Sequence, residues 1–453
     1  MNVTLADAAM ALGVAVPVLN PTISSWSIDS RTIDAGAMYF ALQGEIHDGH
    51  AFLDAVAAKG GVAAVVRQRT PDLAIGINSG LTFLRVADTL KALTDLAKLV
   101  RSRFQGTVIA VTGSAGKTTT KDIIWSLLSV SGLTGRTDGN FNNHIGVPLT
   151  LLRQPEGAKA HVIELAMNHA GEIRELCSIA KPEIGVVTNV GFAHVENFVD
   201  IEGIAAAKRE LIESLPVSGV AVLNADDPRV TAFGDNYPGR TITYGMTHSA
   251  DIRAEDVKLA EDGVRFRVGA VNFQSKVTGR HAVLNILAGV AVAGVLGVAP
   301  EKLKDAIAGL KPGKMRGERI SHHGIQIIND SYNSNPEAVC AMLDVLASRP
   351  EQRKIAVLGE MRELGQWAGD LHRKAGAYAA NLGIDVVIGI HGHGRSLVEE
   401  ARKKGMPPES AIFFETPEQA GDKLKELART GDVILFKGSR GTRVELALER
   451  FLA

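Results

Sequence analysis

The sequence predicts an α/β protein of three domains, in which parallel sheets alternate with helices. Its 453 residues are too many for one ordinary core. Short apolar runs alternate with helix-length segments through much of the chain, as in folds built on parallel sheets. The chain also has 47 glycines against 5 tyrosines and 3 tryptophans, which suits the many turns of such a fold. A hydrophobic content of 45% and a charged content of 22% indicate a soluble globular protein.

The first predicted domain, residues 1–105, is a small α/β module. Apolar runs at 37–42 and 62–66 follow glycine-containing turns and predict strands. A helix predicted from about 88 to 104 leads into the second domain.

The second predicted domain, residues 106–312, combines a parallel sheet with a small antiparallel part. The alternating region 239–279 predicts the antiparallel strands, and a helix is expected near 281–297. A Lys-Pro-Gly turn at 311–313 predicts the end of this domain. Buried parallel strands are predicted at 107–112, 161–166, 184–190 and 219–224.

The third predicted domain, residues 313–453, has the clearest pattern, a doubly wound Rossmann-like sheet. Ligands of such sheets bind beyond the carboxyl ends of the strands. Asp330, Glu360 and the segment 437–440 follow predicted strands, so they fall where a ligand is expected. The five strands are predicted at 325–329, 354–358, 385–390, 411–414 and 432–436.

Charge and cysteine content exclude several classes of protein. The net charge of −1 gives no support to a nucleic-acid-binding surface. The two cysteines, Cys177 and Cys340, are too few for a disulfide framework or a thiolate zinc site and fit a reducing cytoplasm. The N-terminus lacks the basic region of a signal peptide, and the most apolar stretch, 286–300, is shorter than the ~20 residues that span a bilayer. We expect a cytoplasmic protein without membrane insertion.

A glycine-rich turn between a strand and a helix is the most informative motif. The run 111–120 reads VTGSAGKTTT, and its small residues let backbone N–H groups surround phosphate oxygens at the positive end of the helix. Its lysine can reach the β- and γ-phosphates, and the next hydroxyl can ligate Mg²⁺. The usual consensus has a glycine where this chain has Val111. The motif predicts binding of ATP or GTP by Gly113, Ser114, Ala115, Gly116, Lys117, Thr118 and Thr119.

Three residues beyond this loop are candidates for the same site. Glu164 closes a predicted strand, where a carboxylate near a nucleotide is an expected Mg²⁺ ligand, although a solvated or capping glutamate is an equal alternative. His194 follows another predicted strand and is either a metal or phosphate ligand or a surface histidine. Lys208 lies in a helical segment, where the residues alone predict a solvated helix face.

Polar loops and a helix start supply further candidates. The segments 139–148 and 329–336 are rich in amides, which either stabilise turns or orient substrate oxygens. His281 and Asn285 are four residues apart and share a helix face. They are either polar residues satisfied at the helix start or contacts to an adenine. The amide side chains concerned are those of Asn140, Asn142, Asn143, Asn333 and Asn335.

Together these segments resemble the Mur ligases, the ATP-dependent amino-acid ligases of peptidoglycan synthesis. The loop of that family is a shortened Thr-Gly-x-x-Gly-Lys-Thr-Thr, as at 112–119, which accounts for the missing glycine. The resemblance covers nearly the whole chain and favours the branch that adds D-alanyl-D-alanine. It rests on the segments 139–148, 164–173, 189–194, 329–336 and 358–365, with 29–31 and 48–50 in the first module.

The resemblance implies a role for each candidate. The first domain would hold the UDP end of a nucleotide precursor, the second would bind ATP, and the third would close over it. Lys117, His194 and Lys208 form the implied catalytic set. Thr118, Glu164 and His194 would ligate Mg²⁺, and Lys208 matches a lysine that the family carbamylates, which gives an anion for a second Mg²⁺. The further contacts implied are His281, Asn285, Arg316 and Asp330 for ATP, and Ser30, Arg31, Asn140, Asn142, Asn143, Asn333, Asn335, Lys437, Ser439 and Arg440 for substrate.

The reaction implied by the resemblance is ligation of D-alanyl-D-alanine to UDP-N-acetylmuramoyl-tripeptide. The tripeptide carboxylate would attack the γ-phosphate of ATP, and the dipeptide amine would then displace phosphate from the acyl phosphate. This makes the pentapeptide precursor of peptidoglycan, with ATP and two Mg²⁺ ions as cofactors and a monomer acting on small molecules. The third residue of the tripeptide, diaminopimelate or lysine, stays open.

Other functions are weighed against this one. A family member that adds a single amino acid is the nearest rival, but the Asp-Asn-Pro-Arg signature of its diaminopimelate form is absent. The first module and the Asn140 loop argue against a folylpolyglutamate synthetase. A non-catalytic ATP-binding switch would need no acyl acceptor, and a scaffold would need no polar loops at strand ends.

Overall fold

A computed structural model describes residues 3–70, 80–260, 263–351 and 353–453. The fold is α/β, with two parallel sheets, a mixed sheet and a small antiparallel sheet. Three domains follow one another along the chain, as the sequence predicts; their bounds at 105/106 and 312/313 remain predictions. No helix in the described ranges is both long and apolar enough to cross a membrane.

The N-terminal domain is built on a four-stranded parallel sheet in the order β1-β2-β3-β4. Helix α3, whose N-cap is Asp88, packs its apolar side against this sheet and continues towards the central domain. Arg101 near its end is buried and donates to the carbonyl oxygen of Ala180, which joins the two domains. The elements are α1 (Leu5–Ala11), β1 (Ser25–Ser27), β2 (Ala37–Phe40), α2 (Leu53–Ala58), β3 (Ala63–Arg67), β4 (Thr82–Val86) and α3 (Thr89–Arg103).

The central domain has a seven-stranded parallel sheet in the order β11-β10-β9-β8-β5-β7-β6 and an antiparallel sheet β12-β13-β14. Helix α9 is apolar on nearly all sides because it is enclosed, and it packs on α4 and the sheet. The elements are β5 (Thr107–Thr112), α4 (Lys117–Leu128), β6 (Thr134–Arg136), α5 (Gly146–Leu152), β7 (Ala160–Glu164), α6 (Glu172–Ala180), β8 (Ile184–Val187), α7 (Ile201–Glu213), β9 (Val220–Asn224), α8 (Pro228–Thr231), β10 (Arg240–Gly245), β11 (Ile252–Arg253), β12 (Glu255–Ala260), β13 (Gly263–Val268), β14 (Val271–Ser275), α9 (Arg280–Val295) and α10 (Lys304–Ala308).

Two predictions for this domain need correction. The region 239–279 is not antiparallel throughout, because β10 and β11 pair in parallel with the main sheet. Strand β10 lies near the sheet edge and is only partly covered, so its burial alternates and imitates an antiparallel strand. Strands β7 and β8 also end earlier than predicted, so residues 165–166 and 188–190 form loops at the edge of the sheet. Residues 261 and 262 lie outside the described part.

The C-terminal domain has a six-stranded sheet in the order β15-β16-β20-β17-β18-β19. The five predicted strands are all present and parallel, but the sequence pattern missed β15, which joins the edge antiparallel to β16. Its alternately half-buried and exposed residues carry too weak an apolar signal. The elements are β15 (Glu318–His322), β16 (Ile325–Asp330), α11 (Pro336–Ala347), β17 (Arg353–Gly359), α12 (Ala368–Asn381), β18 (Val386–Ile390), α13 (Gly394–Lys403), β19 (Ala411–Phe414), α14 (Pro417–Leu427), β20 (Asp432–Lys437) and α15 (Glu445–Leu452).

Candidate functional site

A cavity of about 1740 Å³ lies where the three domains meet. Its walls come from α3 of the N-terminal domain, from the loops at the carboxyl ends of the central parallel strands, and from the start of α11. This is the edge of a parallel sheet at which ligands are expected. The predicted site residues that line it are Ser114, Ala115, Gly116, Lys117, Thr118, Thr119, Asn140, Asn142, Asn143, Glu164, His194, His281, Asn285, Arg316, Asp330, Asn333, Asn335, Lys437 and Arg440.

The loop between β5 and α4 has the backbone shape of a phosphate-binding loop. Gly116 precedes the helix in the left-handed region at φ +80°. Gly113 has a φ of +148°, and a Cβ there would lie 1.8 Å from the Thr188 hydroxyl oxygen. Both positions therefore require glycine, whereas Val111 is a fully buried strand residue. Gly113 itself does not line the cavity; it shapes the loop that does.

Lys117 is folded back onto this loop. Its Nζ donates to the carbonyl oxygen of Gly113 at 2.7 Å. Burial lowers the pKa of Lys117, and the Glu164 carboxylate opposes that effect. The Lys117 ammonium group therefore lies against the loop at which the sequence predicts a phosphate.

Asn189 holds the loop from the end of the neighbouring strand. Its Oδ1 accepts the N–H of Ala115 at 2.8 Å and its Nδ2 donates to the Ala115 carbonyl at 3.1 Å. Sequence reasoning gave Asn189 no role, because it fell inside the strand predicted at 184–190, whereas β8 ends at Val187 and leaves Asn189 in the loop.

Glu164 ends β7 and is 1% exposed. Its Oε1 accepts a hydrogen bond from Asn142 Nδ2 at 2.8 Å. Its Oε2 is buried and, within the described residues, has no hydrogen-bond partner. A buried carboxylate oxygen without a partner is costly unless a cation or donor completes it. The donor set therefore fits a hard cation such as Mg²⁺.

Lys208 lies on α7 and is 2% exposed. The solvated helix face that its sequence context predicts is wrong, because α7 turns this side towards the domain interior. Burial lowers the pKa of Lys208 well below its ordinary value, and the positive charge of Lys117 lowers it further. Lys208 does not itself line the cavity.

His194 adopts a left-handed backbone at φ +62° and points towards the C-terminal domain. Its Nδ1 lies 2.5 Å from Glu363 Oε2. This contact holds the pKa of the Glu363 carboxyl below its usual range. Sequence reasoning gives Glu363 no role, although it lies in the motif 358–365, because nothing along the chain relates it to His194.

The helix α9 candidates face the same cavity. Asn285 Oδ1 accepts from the Thr120 hydroxyl at 3.1 Å and would lie 2.9 Å from a Cβ on Gly116. Asn285 thus has a partner within the protein, as expected for a polar residue satisfied at the helix start. It also borders the phosphate loop. His281 lies one turn earlier, and burial lowers its pKa.

The C-terminal domain supplies charged groups at its strand ends. Asp330 at the end of β16 pairs with Lys437 at the end of β20, at 2.5 Å between Oδ2 and Nζ. Lys437 is 2% exposed, and the Asp330 carboxylate neutralises its buried charge. Arg316 stacks over the Tyr332 ring at 4.0 Å, and both line the cavity. Sequence reasoning missed Tyr332 because a single tyrosine in a polar loop carries no pattern.

Amide side chains in the loops already have local partners. Asn143 Oδ1 accepts the N–H groups of Ile145 and Gly146 at the start of α5. Asn335 caps α11 by accepting from Ala338, while its Nδ2 donates to the Ser114 carbonyl at 3.2 Å. Both readings of these amides, turn stabilisation and site formation, are therefore compatible with their positions.

Three predicted substrate residues lie outside the cavity. Ser30 and Arg31 form a turn beside the N-terminal sheet, where Arg31 pairs with Asp29 at 2.7 Å and lowers the pKa of that carboxyl to about 2. Ser439 is 4% exposed, and its Oγ accepts the N–H of Arg362 at 2.9 Å. Arg440 does line the cavity and pairs with Glu445 at 2.9 Å.

Three family models match the chain. The Mur ligase family catalytic domain matches residues 22–101, the Mur ligase middle domain matches 111–293, and the Mur ligase glutamate ligase domain matches 315–440. The UDP-N-acetylmuramoyl-tripeptide–D-alanyl-D-alanine ligase of Bacillus subtilis is 36% identical over 421 residues, which cover 92% of this chain and 90% of that protein.

Two solved structures are similar over 95% or more of this chain. MurF from Acinetobacter baumannii has a TM-score of 0.89 at 30% identity and covers 100% of this chain and 99% of its own. MurF ligase from Thermotoga maritima, solved in complex with ADP, has a TM-score of 0.83 at 29% identity, with 95% and 97% covered.

Proposed function

Because the chain belongs to the Mur ligase family, we propose that its central cavity is the site that joins D-alanyl-D-alanine to UDP-N-acetylmuramoyl-tripeptide. The chain is an ATP-dependent ligase, as are its relatives, which are named UDP-N-acetylmuramoyl-tripeptide–D-alanyl-D-alanine ligases. The observation that supports the assignment of the cavity is the convergence of the phosphate loop, the unpartnered Glu164 oxygen and loops of the C-terminal domain on one space.

In this proposal ATP lies with its phosphates in the loop 113–119. The N–H groups of the loop and the Lys117 ammonium, released from the Gly113 carbonyl, hold the β- and γ-phosphates. His281 and Asn285 line the adenine side, and Arg316 approaches from the C-terminal domain. Asp330 contributes through its pairing with Lys437, which keeps the end of β16 in place.

The proposed Mg²⁺ ligands are the Thr118 hydroxyl, Glu164 and His194, with a second ion at a modified Lys208. When bound, Mg²⁺ offsets the repulsion between an anionic carboxylate and the triphosphate. Asn142 orients Glu164 through the bond to Oε1, and Oε2, which has no partner among the described residues, would be the atom that holds the cation.

Lys208 is proposed to carry a carbamate. Its lowered pKa keeps more of the amine neutral at physiological pH, and only the neutral amine can attack CO₂. The nitrogen forms a bond to the carbon of CO₂ and loses a proton, which leaves an anionic carbamate. The modification replaces an amine whose cationic form is disfavoured by burial with an anion that can bind a metal ion.

The chemistry then needs two displacements. The terminal carboxylate of the tripeptide attacks the γ-phosphorus, and ADP leaves as the P–O bond breaks. The dipeptide amine attacks the acyl carbon, loses a proton, and expels inorganic phosphate. Lys117 stabilises charge on the transferring phosphoryl group, and the C-terminal domain shields the acyl phosphate from water.

The loops around the cavity are proposed to position the other substrates. Asn140, Asn142 and Asn143 face the space beside the phosphate loop, and Asn333, Asn335 and Arg440 face it from the C-terminal domain. Ser30 and Arg31 would hold the distal UDP end, away from the reacting atoms. Ser439 would act indirectly by holding the loop at Arg362.

A monomer in a bacterial cytoplasm completes the proposal, since the reaction draws on ATP and a nucleotide precursor of the cell wall. The test is phosphate release from ATP and Mg²⁺ by the purified chain with UDP-N-acetylmuramoyl-tripeptide and either the dipeptide or single amino acids. We expect release and a pentapeptide product only with D-alanyl-D-alanine. Turnover of a shorter precursor with a single amino acid would overturn the assignment, and tight ATP binding without any turnover would favour a nucleotide switch.

A further inference from the structure

We propose that Glu337 is a positioning residue that holds the C-terminal domain closed on the central domain through the backbone N–H of Phe192. This inference rests on the proposed function for its kinetic consequence, but its structural part stands alone. Glu337 lies in the first turn of α11, and Phe192 lies in the central-domain loop 188–194 that follows β8.

The contact is specific in geometry. Glu337 Oε1 accepts the Phe192 N–H at 3.0 Å. Glu337 Oε2 is buried and has no hydrogen-bond partner in the described part of the chain. Burial raises the pKa of this carboxyl. A buried acid with one satisfied oxygen is an unfavourable choice for packing alone, which indicates that the acceptor itself is needed.

The receiving loop is shaped to admit this carboxylate. A Cβ on Gly191 would lie 2.3 Å from the Glu337 carboxyl carbon and 2.6 Å from each of its oxygens. Glycine therefore leaves the space that the acid fills. Glu337 and Gly191 come from different domains, so a side chain at position 191 would push the two domains apart at this point.

The loop that contains Gly191 also makes hydrogen bonds to the phosphate loop. The Ser114 hydroxyl donates to the Gly191 carbonyl at 2.9 Å and accepts its N–H at 2.8 Å. Asn335, two residues before Glu337, donates to the Ser114 carbonyl at 3.2 Å. The start of α11 thus contacts both the phosphate loop and the loop behind it, so a rotation of the C-terminal domain that breaks one contact would strain the other.

A third contact lies beyond these two. The Glu196 N–H donates to the Glu363 carbonyl at 3.2 Å, and the carboxylate of the same Glu363 contacts His194. Glu337 thus acts alongside the contacts made by Asn335 and Glu363, and its removal takes away one hydrogen bond of this set. Charge is not required of such an acceptor, since an amide oxygen can take its place.

The test compares four full-length variants by solution X-ray scattering without nucleotide and by steady-state kinetics. Glu337→Ala removes the acceptor, Glu337→Gln keeps a carbonyl oxygen, and Gly191→Ala fills the space that the acid occupies. Glu399→Ala is the control, at an exposed position of α13. We expect Glu337→Ala and Gly191→Ala to raise the radius of gyration and to lower kcat about tenfold or more. Glu337→Gln and the control should stay within about threefold of the unmodified protein in kcat.

The double variant Gly191→Ala/Glu337→Ala separates a shared contact from two local defects. If the two side chains act through one contact, the double variant will be no worse than either single one. Additive losses, an unchanged radius of gyration in both single variants, or a Glu337→Gln variant as impaired as Glu337→Ala would each overturn the proposal. If Glu337→Ala does not fold, Gly191→Ala decides alone. Absence of ligation by the unmodified protein would instead refute the proposed function, while the scattering comparison would still decide the role of Glu337.

Discussion

Replacement of Lys208 by methionine is expected to stabilise the folded protein while it strongly slows ligation. Within the described residues Lys208 makes no hydrogen bond or ion pair, and it is 2% exposed. Because its pKa is lowered on folding, the unfolded chain binds a proton that the folded chain releases. The free energy of unfolding should therefore rise with pH from the folded pKa up to about 10.4, with a slope of up to ~1.4 kcal/mol per pH unit from this group. Methionine keeps an unbranched side chain as far as the ε-carbon, lacks the amine, and so removes that slope.

The assay is urea unfolding of the unmodified protein and the Lys208→Met variant in buffer free of CO₂. The pH is varied from about 6 to about 9, a range in which a lysine of lowered pKa changes the unfolding free energy. We expect the variant to be the more stable, with the difference in unfolding free energy shrinking as the pH rises. Its kcat should fall by about 10²-fold or more, because methionine cannot carry the carbamate proposed to hold the second Mg²⁺.

Lys121 provides the matched control. It is also buried, at 1% exposed, but its Nζ donates to the Thr137 carbonyl at 2.7 Å and lies 3.2 Å from the Asp122 carboxylate. Lys121→Met should therefore destabilise the protein by about 1–3 kcal/mol. A Lys208→Met variant that loses stability to the same extent, or that retains ligation, would refute the reasoning from an unpartnered buried amine.

Three further variants test separate parts of the site. Gly113→Ala should weaken ADP binding more than about tenfold in calorimetry, because the new methyl meets the Thr188 hydroxyl and the φ of +148° disfavours alanine; unchanged affinity would contradict the loop assignment. Glu164→Gln should lower kcat about 10²-fold and raise the Mg²⁺ concentration needed for half-maximal rate, and an unaltered Mg²⁺ titration would remove Glu164 from the metal site. Asp330→Asn should cost about 3 kcal/mol or more of unfolding free energy by leaving Lys437 buried without its counter-charge, whereas a change below about 1 kcal/mol would show that the pair is not needed.

Local patterns predicted much of the fold because the parallel strands are short, buried and strongly apolar. The phosphate loop was found for the same reason, since its glycines, lysine and flanking strand lie together in sequence. Strand β15 and the parallel pairing of β10 were not predicted, because edge position weakens or imitates the apolar pattern on which such predictions depend.

Contacts between domains could not be read from the chain. Nothing near Glu337 in sequence marks it as an acceptor for Phe192, and an acidic residue in the first turn of a helix has an ordinary explanation in the helix dipole. Lys208 shows the same limit, since its burial depends on how α7 packs and not on its neighbours along the chain.

Transfer of ¹⁸O from the substrate tests the central claim most directly. UDP-N-acetylmuramoyl-tripeptide labelled with ¹⁸O in its terminal carboxylate would be incubated with ATP, Mg²⁺, D-alanyl-D-alanine and the purified chain, and the phosphate analysed by mass spectrometry. The proposed chemistry predicts one ¹⁸O in each inorganic phosphate released and a pentapeptide product that keeps the other. Unlabelled phosphate, or labelled phosphate formed equally well with a single amino acid in place of the dipeptide, would contradict it.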